Sequence, residues 1–383
     1  MAVHFSAAEM EGRMARLREA LAARRLDGIL LFAQESMYWL TGYDTFGFCF
    51  FQCLYVGQDG RTALLTRSAD LRQAQHTSTL SDIRVWRDGV AAEPARDLKA
   101  MLADLCCAGQ RLGAEFDAYG LTYANGRKVS AALDGVVELE DASLIVPRLR
   151  LTKSDAEIDC VRRAAALSDA ADRAAVERLG PGAEEGDILA AQHAAIFEAG
   201  GDYPGNEFII GSGRDALLCR YKSGRRRLDA TDQITLEFAG VWRHYHAAVM
   251  RTHVVGEPRP LHLAYHAAAR EALLACEAEL RPGRTAGDIF AAHVRVLDAH
   301  GLSAHRLNAC GYSLGAKFTP SWMDPPMFYA GNDWEIAPNQ VYFAHMILMD
   351  SRSETALCLG RTSLVTHRGA EPLNAPSLDL VVK

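Results

Sequence analysis

A single carboxylate stands in an otherwise apolar stretch of this chain. Glu237 lies within the sequence ITLEFAG. Because burying a carboxylate without a partner is costly, Glu237 must either form a structural ion pair with a nearby arginine or take part in chemistry. In the second case we expect a nucleophile or general base with a raised pKa. Such a carboxylate could also hold an amidinium or guanidinium group through two parallel hydrogen bonds.

Two arginines near this stretch are candidate substrate-binding residues. Arg220 precedes the stretch and Arg251 follows it. A guanidinium group presents a planar fork of donors that matches a carboxylate, so either arginine could bind an acidic group of a substrate. The alternative is that each arginine pairs with an internal acid, such as Glu237 or Asp232.

Histidines at two places could move a proton. His246 lies two residues after His244, so both point to the same side of the predicted strand. His345 stands alone in the apolar run YFAHMIL, where a histidine is more often a core residue with satisfied hydrogen bonds. Because imidazole titrates near neutral pH, His345 or His246 could instead give a proton to a leaving nitrogen.

A tyrosine in a glycine-bounded string is the fourth catalytic candidate. Tyr312 belongs to the string GYSLG, which runs from Gly311 to Gly315. Its hydroxyl could stabilise a tetrahedral centre or orient a substrate, and the alternative is a hydrogen bond to the backbone. The two glycines could simply permit close approach of the backbone.

The stretches around these residues predict the elements that must position them. Residues 232–256 predict two strands of a hairpin, and the runs VYFAHMILM and ALCLGRTSLVT predict two later strands. Residues 259–300 predict two helices that are broken at Pro282-Gly283. A further strand is predicted over residues 216–221 (ALLCRY), and the proline-rich residues 318–338 are predicted to form a loop.

The chain divides into two predicted domains. Residues 7–25 have helical periodicity, and alternating strand and helix signals follow, so we predict an α/β domain over residues 1–148. Ser154 with Glu157 three residues later is a capping-box pattern in front of a long alanine-rich helix. This helix is expected to open a second domain over residues 149–383.

Composition disfavours several classes of function. The chain has 383 residues and a formal net charge of −7; with no large basic block, we expect no nucleic-acid partner. Its nine cysteines include no Cys-x-x-Cys pair, which disfavours a disulfide framework and a zinc knuckle. No apolar run is long enough to cross a membrane, and the N-terminus lacks the apolar region of a signal peptide. We therefore expect a cytoplasmic protein without a membrane partner.

Several strings resemble one superfamily of enzymes. KSDAEIDCVRRAAALSDAA, EFAGVWRHYHAAVMRT and GYSLG resemble the catalytic half of the pita-bread metallopeptidases, which include aminopeptidase P, prolidase and methionine aminopeptidase. MYWLTGYD and GGDYPGNEF extend the likeness over most of the chain. The resemblance implies an α/β (α+β) fold class: an N-terminal creatinase-like α/β domain and a C-terminal pita-bread domain, whose curved antiparallel sheet is covered by helices.

The same resemblance identifies positions where metal ligands are missing. In the family, two aspartates eleven residues apart, a histidine and two glutamates bind metal. The matching positions here hold Glu237, Ala248, Tyr312, His345 and Gly360. Because a pair of hard divalent metals needs several converging oxygen or imidazole ligands, we expect no metal and no cofactor, as in the metal-free branch that includes creatinase and the ectoine hydrolases.

Within that branch the strings are most similar to the ectoine hydrolases. They imply hydrolysis of a C–N bond in a small polar solute, and the leading expectation is that ectoine, a cyclic amidine, is opened to an acetylated diaminobutyrate. The alternatives are a creatinase-like hydrolase of another amidine or guanidino compound, an inactive pita-bread module used for binding, and a residual Xaa-Pro peptidase. Arg220 stands where metallopeptidases and creatinase place a catalytic histidine, which counts against creatinase itself.

The resemblance further implies a homodimer, because in the family the N-terminal part of the partner subunit covers the active site. Phe46 and Phe48 would then wall the pocket across the interface, where aromatic rings exclude water and bind a cationic ring; ordinary core packing is the alternative. Tyr203, in the string GGDYPGNEF, is a further candidate for substrate binding. The expected partners are a small-molecule substrate and a second copy of the chain.

Overall fold

The computed structural model describes residues 3–220 and 224–383. The chain forms two compact units, which divide between Arg150 and Leu151. Within the described ranges, no helix is both long enough and apolar enough to span a membrane.

The N-terminal unit alternates helices and strands. Its first helix begins after Ser6, whose hydroxyl accepts a hydrogen bond from the amide of Glu9. Its second helix ends at Gly42, in the left-handed conformation that glycine adopts without strain. The elements are α1 (Ala7–Ala23), β1 (Gly28–Leu31), α2 (Gln34–Thr41), β2 (Cys53–Gly57), β3 (Thr62–Arg67), α3 (Leu71–Thr77), β4 (Ile83–Trp86), α4 (Pro94–Asp104), β5 (Arg111–Ala114), α5 (Tyr123–Leu133), β6 (Glu138–Asp141) and α6 (Ile145–Leu151).

Over residues 3–150, six strands form one mixed sheet in the order β4-β3-β2-β1-β5-β6. The central strand β1 is antiparallel to β2 and parallel to β5. Its alternate residues serve two apolar cores: Leu30 packs with α4 and α5, whereas Ile29 and Leu31 pack with α1 and α2. Helices therefore cover both faces of the sheet, which confirms the predicted α/β domain.

The C-terminal unit begins with the predicted capping box. The Ser154 hydroxyl accepts a hydrogen bond from the amide of Glu157, and the Glu157 carboxylate accepts one from the amide of Ser154. The elements are α7 (Asp155–Arg178), α8 (Glu185–Glu198), β7 (Ile209–Ser212), β8 (Asp232–Trp242), β9 (Tyr245–Val255), α9 (Pro260–Glu279), α10 (Ala286–Ala299), β10 (Gly311–Ser313), β11 (Asp324–Met327), β12 (Val341–Asp350), β13 (Thr355–Thr366) and β14 (Gly369–Pro372).

In the described part of this unit, eight strands form an antiparallel sheet. The order is β11-β10-β12-β13-β9-β8-β7, and β14 pairs with residues 363–366 of β13. The hairpin β8–β9, the late strands β12 and β13, and the helices α9 and α10 all lie where the sequence predicts them. The curved antiparallel sheet with its covering helices confirms the predicted pita-bread fold class.

Alternate residues of this sheet face the helices. On β12, Met346 packs in one apolar core with α9 and α10. On β8, Gly240 lies against α7, because a Cβ atom there would meet the backbone of that helix. Side chains alternate along a strand, so Glu237 and His345 point to the other side. We call that side, opposite α7, α9 and α10, the open face.

Two local predictions were wrong. Residues 216–220 form no strand: a 3₁₀ helix over Gly213–Leu217 is followed by a turn at residues 219–220. Tyr221, the last residue of the predicted strand, lies outside the described residues. The 318–338 segment is not all loop, because β11 forms within it and pairs with β10. Arg220 is therefore carried by a turn and not by a strand.

The contact at Gly240 predicts a strong effect of a single methyl group. In Gly240→Ala, the added Cβ would overlap the backbone of Ala164 and Ser168 and lie 2.8 Å from Leu167 Cβ. Backbone atoms within a helix cannot move aside cheaply, so we expect the free energy of unfolding to fall by about 1–3 kcal/mol or more, measured by urea denaturation. As a control, Gly315→Ala places its Cβ 3.6 Å from the Lys153 side chain and should change stability little. Equal stability of both variants would contradict the tight contact.

Candidate active site

The five positions that the resemblance assigns to metal ligands lie on the open face. They hold Glu237, Ala248, Tyr312, His345 and Gly360. Directly opposed residues of an antiparallel pair point to the same side of a sheet. The registers of β8–β9, β9–β13, β12–β13 and β10–β12 therefore put all five on one side. Three of these side chains are polar, and they define the candidate site.

A chain of hydrogen bonds ends on the central carboxyl group. The Tyr312 hydroxyl donates to Oε1 of Glu237 at 3.3 Å, and the indole Nε1–H of Trp322 donates to the Tyr312 hydroxyl at 2.9 Å. All three side chains are buried. The prediction that Tyr312 belongs to the site matches this geometry, whereas the sequence pattern did not identify Trp322 as part of it.

Burial raises the pKa of the Glu237 carboxyl to about 7. The positive charge of Arg220 and the hydrogen bond from Tyr312 oppose this shift without cancelling it. Near neutral pH, Glu237 is therefore divided between its neutral and ionised forms. A group in this condition can give or take a proton, as general acid–base chemistry requires.

His345 lies beside Tyr312, with ring centroids 5.6 Å apart. Burial, together with the charges of His293 and Arg220, lowers the pKa of the imidazole to about 3. The ring is therefore neutral at physiological pH. Its Nδ1 atom is buried and has no hydrogen-bond partner among the described residues. This nitrogen is therefore available to bind a water, an ion or a substrate atom.

His246 lies on the open face, but its ring holds two loops together. Its Nε2 atom accepts a hydrogen bond from the amide of Gly205 at 2.8 Å, so the hydrogen must be on Nδ1, which lies 3.4 Å from the carbonyl oxygen of Gly315. Burial lowers the pKa of His246 to about 3. With both nitrogens engaged by backbone, this residue supports the site and is a weaker candidate than His345 for moving protons.

Arg220 lies on the rim of an open cavity of about 410 Å³. Ile209, in the wall, pairs with Glu237 in the register of β7 and β8, so the cavity lies beside the open face. The guanidinium group is exposed and lies 3.9 Å from the sulfur of Met323. The other lining residues are Gly205, Asn206, Glu207, Thr319 and Pro320. This position fits the predicted role of Arg220 in binding an acidic group.

The structure places Arg251 elsewhere, against the sequence-based expectation. Arg251 pairs with Leu236 in the β8–β9 register, so it points toward the helices. Its guanidinium group donates to the carbonyl oxygen of Ser377 at 2.8 Å, and its Nε lies 3.8 Å from the carboxylate of Asp172 in α7. Arg251 is therefore part of the buried packing behind the sheet and does not face the cavity.

Of the three aromatic candidates, one packs against α8 and two belong to the N-terminal unit. Tyr203 is 81% exposed and packs edge-on against Phe197 of α8. Phe46 and Phe48 belong to the N-terminal unit, where Phe46 is 76% exposed and Phe48 is buried. Burial of Phe48 fits the core-packing alternative. The homodimer and the pocket wall across its interface stay predictions.

The residues present do not fit a pair of metal ions. Ala248 and Gly360 offer no donor atom, and the Tyr312 hydroxyl is already engaged by Trp322 and Glu237. Among residues 3–220 and 224–383, no group of three or more His, Cys, Asp or Glu side chains is arranged to hold a metal ion. A single carboxylate and a single imidazole fall short of the ligand number that hard divalent metals require.

Both units match known families. Residues 13–152 match the creatinase/prolidase N-terminal domain, and residues 159–366 match metallopeptidase family M24. The fold and the two matches define a protein of the creatinase and prolidase class. Since the second match covers more than half of the chain, the chain belongs to metallopeptidase family M24.

Relatives of similar length have different names. An uncharacterized hydrolase/peptidase of Sinorhizobium fredii is 29% identical over 395 residues, covering 100% of this chain and 99% of that protein. The ectoine hydrolase of Halomonas elongata is 24% identical over 397 residues, covering 99% and 98%. The crystal structure of dipeptidase PepE from Mycobacterium ulcerans has a TM-score of 0.85 at 22% identity, covering 99% of each chain, and supports the fold alone.

The raised pKa of Glu237 predicts a pH-dependent effect on stability. In the folded chain this pKa is about 7, against an ordinary value of 4.5. Between these values the folded state binds more protons than the unfolded state, so this group makes stability fall as pH rises. Glu237→Gln should therefore gain stability over the parent protein by up to about 1.4 kcal/mol per pH unit from pH 4.5 to 7, reaching about 3 kcal/mol and then levelling off.

Urea denaturation of both proteins between pH 5 and pH 8.5 measures this difference. Other titrating groups are common to the two chains, so their contributions cancel in the comparison. A difference in the free energy of unfolding that does not change with pH would show that the Glu237 carboxyl is not destabilised by burial.

Proposed function

We propose that this protein hydrolyses a C–N bond of a small amidine that carries a carboxylate, without a catalytic metal. The supporting observation is the buried pair of Glu237 and Tyr312 with His345 beside it, at positions where the family holds metal. Ectoine is the candidate substrate, because it is a cyclic amidine with a carboxylate and because a full-length relative is an ectoine hydrolase. The cavity volume of about 410 Å³ suits a small solute.

Glu237 would supply the attacking group. Either its carboxylate attacks the amidine carbon and water later hydrolyses the intermediate, or it deprotonates a water that attacks the carbon directly. In both cases the bond from that carbon to one ring nitrogen breaks, the nitrogen gains a proton, and the carbon becomes the carbonyl of an acetamido group. The net reaction adds one water, and the Glu237 carboxylate is regenerated.

His345 would carry the proton to the leaving nitrogen. A neutral imidazole can accept a proton at one nitrogen while it releases one from the other. The unpartnered Nδ1 of His345 and its place beside Tyr312 support this role. His246 stays the second candidate, although its two ring nitrogens already face Gly205 and Gly315.

The hydroxyl of Tyr312 would stabilise charge in the reaction. Oriented donors in a site from which water is excluded are effective because they need no reorganisation as charge develops. Tyr312 is buried, and its direction is fixed by two hydrogen bonds. Arg220, at the cavity rim, would hold the substrate carboxylate, as a guanidinium fork does well.

A substrate panel tests the proposal directly. Protein freed of metal with a chelator is incubated with ectoine, hydroxyectoine, creatine and Xaa-Pro dipeptides, and the products are followed by proton NMR. We expect turnover of ectoine that the chelator does not reduce. Glu237→Gln should remain folded and lose about 10²–10⁴-fold in kcat, since it can neither attack nor accept a proton. Peptide cleavage that returns with added metal, or full activity of Glu237→Gln, would refute the proposal.

Arg220 should control affinity for the substrate. In Arg220→Gln, loss of a charge-assisted contact worth about 1.5–3 kcal/mol should raise KM about 10- to 100-fold, with a smaller effect on kcat. Arg214→Gln is the matched control, because Arg214 lies in the same segment but is exposed and pairs with Glu354. Steady-state kinetics of both variants measure the effect. An unchanged KM in Arg220→Gln would assign the carboxylate to another group.

A further inference from the structure

Trp322 joins the site through a donor that has only one possible direction. Its ring is buried, and its Nε1–H donates to the Tyr312 hydroxyl at 2.9 Å. An indole nitrogen is a donor only, so in this contact the tyrosine oxygen must accept. The phenol carries a single hydrogen, which then remains for Oε1 of Glu237 at 3.3 Å.

The Trp322 ring is held in place by the loop that lines the cavity. Its backbone amide donates to Oδ1 of Asn206 at 3.1 Å. Gly205 lies against the same backbone, because a Cβ atom at that glycine would be 2.9 Å from the amide nitrogen of Trp322. The imidazole of His246, which accepts the amide of Gly205, lies 6.1 Å from the Trp322 ring. The indole therefore has little freedom to turn away from Tyr312.

A hydroxyl without such a neighbour can rotate its hydrogen. The Tyr312 ring packs between Phe343 and His345, with centroids 5.5 and 5.6 Å away, and these contacts fix the ring but not the hydroxyl hydrogen. The indole N–H occupies one lone pair of the oxygen and also polarises the O–H bond, since linked hydrogen bonds strengthen one another.

We propose that Trp322 is a positioning residue that directs the Tyr312 hydroxyl hydrogen toward Glu237 and toward charge that develops there during the reaction. Trp322 acts through Tyr312 and has no contact of its own with the reacting atoms. The effect on catalysis rests on the proposed function, whereas the hydrogen-bond relay itself can be tested in the free protein.

The relay is tested by NMR of the tryptophan indole groups. The chain has five tryptophans, so ¹⁵N labelling gives five indole N–H signals, and Trp322→Phe identifies one by its loss. Glu237→Gln should move the Trp322 signal and leave the other four in place, because the change is transmitted through the Tyr312 oxygen. In a Tyr312→Phe background, Glu237→Gln should no longer move it.

This double comparison separates a relay from packing. Tyr312→Phe alone would shift the signal even for a ring that merely packs against Trp322, but only a connected hydrogen bond makes the Glu237 effect depend on the tyrosine hydroxyl. A Trp322 signal that ignores Glu237→Gln, or that responds equally with and without the Tyr312 hydroxyl, would overturn the proposal. This experiment needs no substrate and no active enzyme, so its result does not depend on whether the proposed function is correct.

Steady-state kinetics provide a second test of the role proposed for Trp322. Loss of one neutral hydrogen bond is worth about 0.5–1.5 kcal/mol, so Trp322→Phe should lower kcat by up to about tenfold with KM nearly unchanged. The same change in a Tyr312→Phe background should have no further effect, because both substitutions remove the same relay. Trp334→Phe is the control, since Trp334 packs against the core formed by α9 and α10. Multiplicative losses in the double variant would contradict the relay.

Discussion

The two-residue alternation of the eight-stranded sheet is the constraint on which the candidate site depends. One set of residues packs against α7, α9 and α10 so closely that Gly240 has no room for a methyl group. The other set therefore lies on the open face, where the strand registers put Glu237, Tyr312 and His345 on the same side. A shift of one residue in any of these strands would exchange the two sets and remove the site.

The charged groups on the two faces of the sheet differ in how fully they are paired. Behind the sheet, Arg361 forms a two-pronged ion pair with Glu277 of α9 at 2.7 Å, which satisfies both groups. On the open face, Glu237 receives one hydrogen bond of 3.3 Å from a neutral hydroxyl, and the resulting pKa is about 7. Because it receives so few hydrogen bonds, the buried Glu237 carboxyl lowers the free energy of unfolding at neutral pH. This contrast supports the proposed chemical role of Glu237 and a structural role for the ion pair of Arg361 and Glu277.

The fold was predictable from sequence because the signals for its helices and strands are local. The site was harder to predict because it depends on strand registers, which join residues that are distant in the chain. The capping box at Ser154 and the apolar strand patterns predicted α7, the β8–β9 hairpin, β12 and β13 in their observed order, although they placed a strand at residues 216–221 and missed β11. Arg251 was misplaced because the alternation of side chains was not followed from the predicted hairpin turn to that residue. Arg243 and His244 form that turn with φ of 51° and 66°, a conformation usually signalled by glycine or asparagine. With the turn fixed there, Arg251 must pair with Leu236 and face the helices.

The sequence analysis did not identify Trp322 as a site residue for a different reason. Its proposed role in positioning the Tyr312 hydroxyl depends on contacts between segments that are distant in the chain. Its indole reaches Tyr312 of β10, and its amide reaches Asn206, 116 residues earlier in the chain. His246, on β9, ties the same loop to the site through Gly205. The sheet therefore supplies the groups of the site, while two loops fix their hydrogen-bond directions and line the cavity. Because loops change more readily than a packed sheet, we expect these two loops, more than the sheet, to determine which substrate the proposed site accepts.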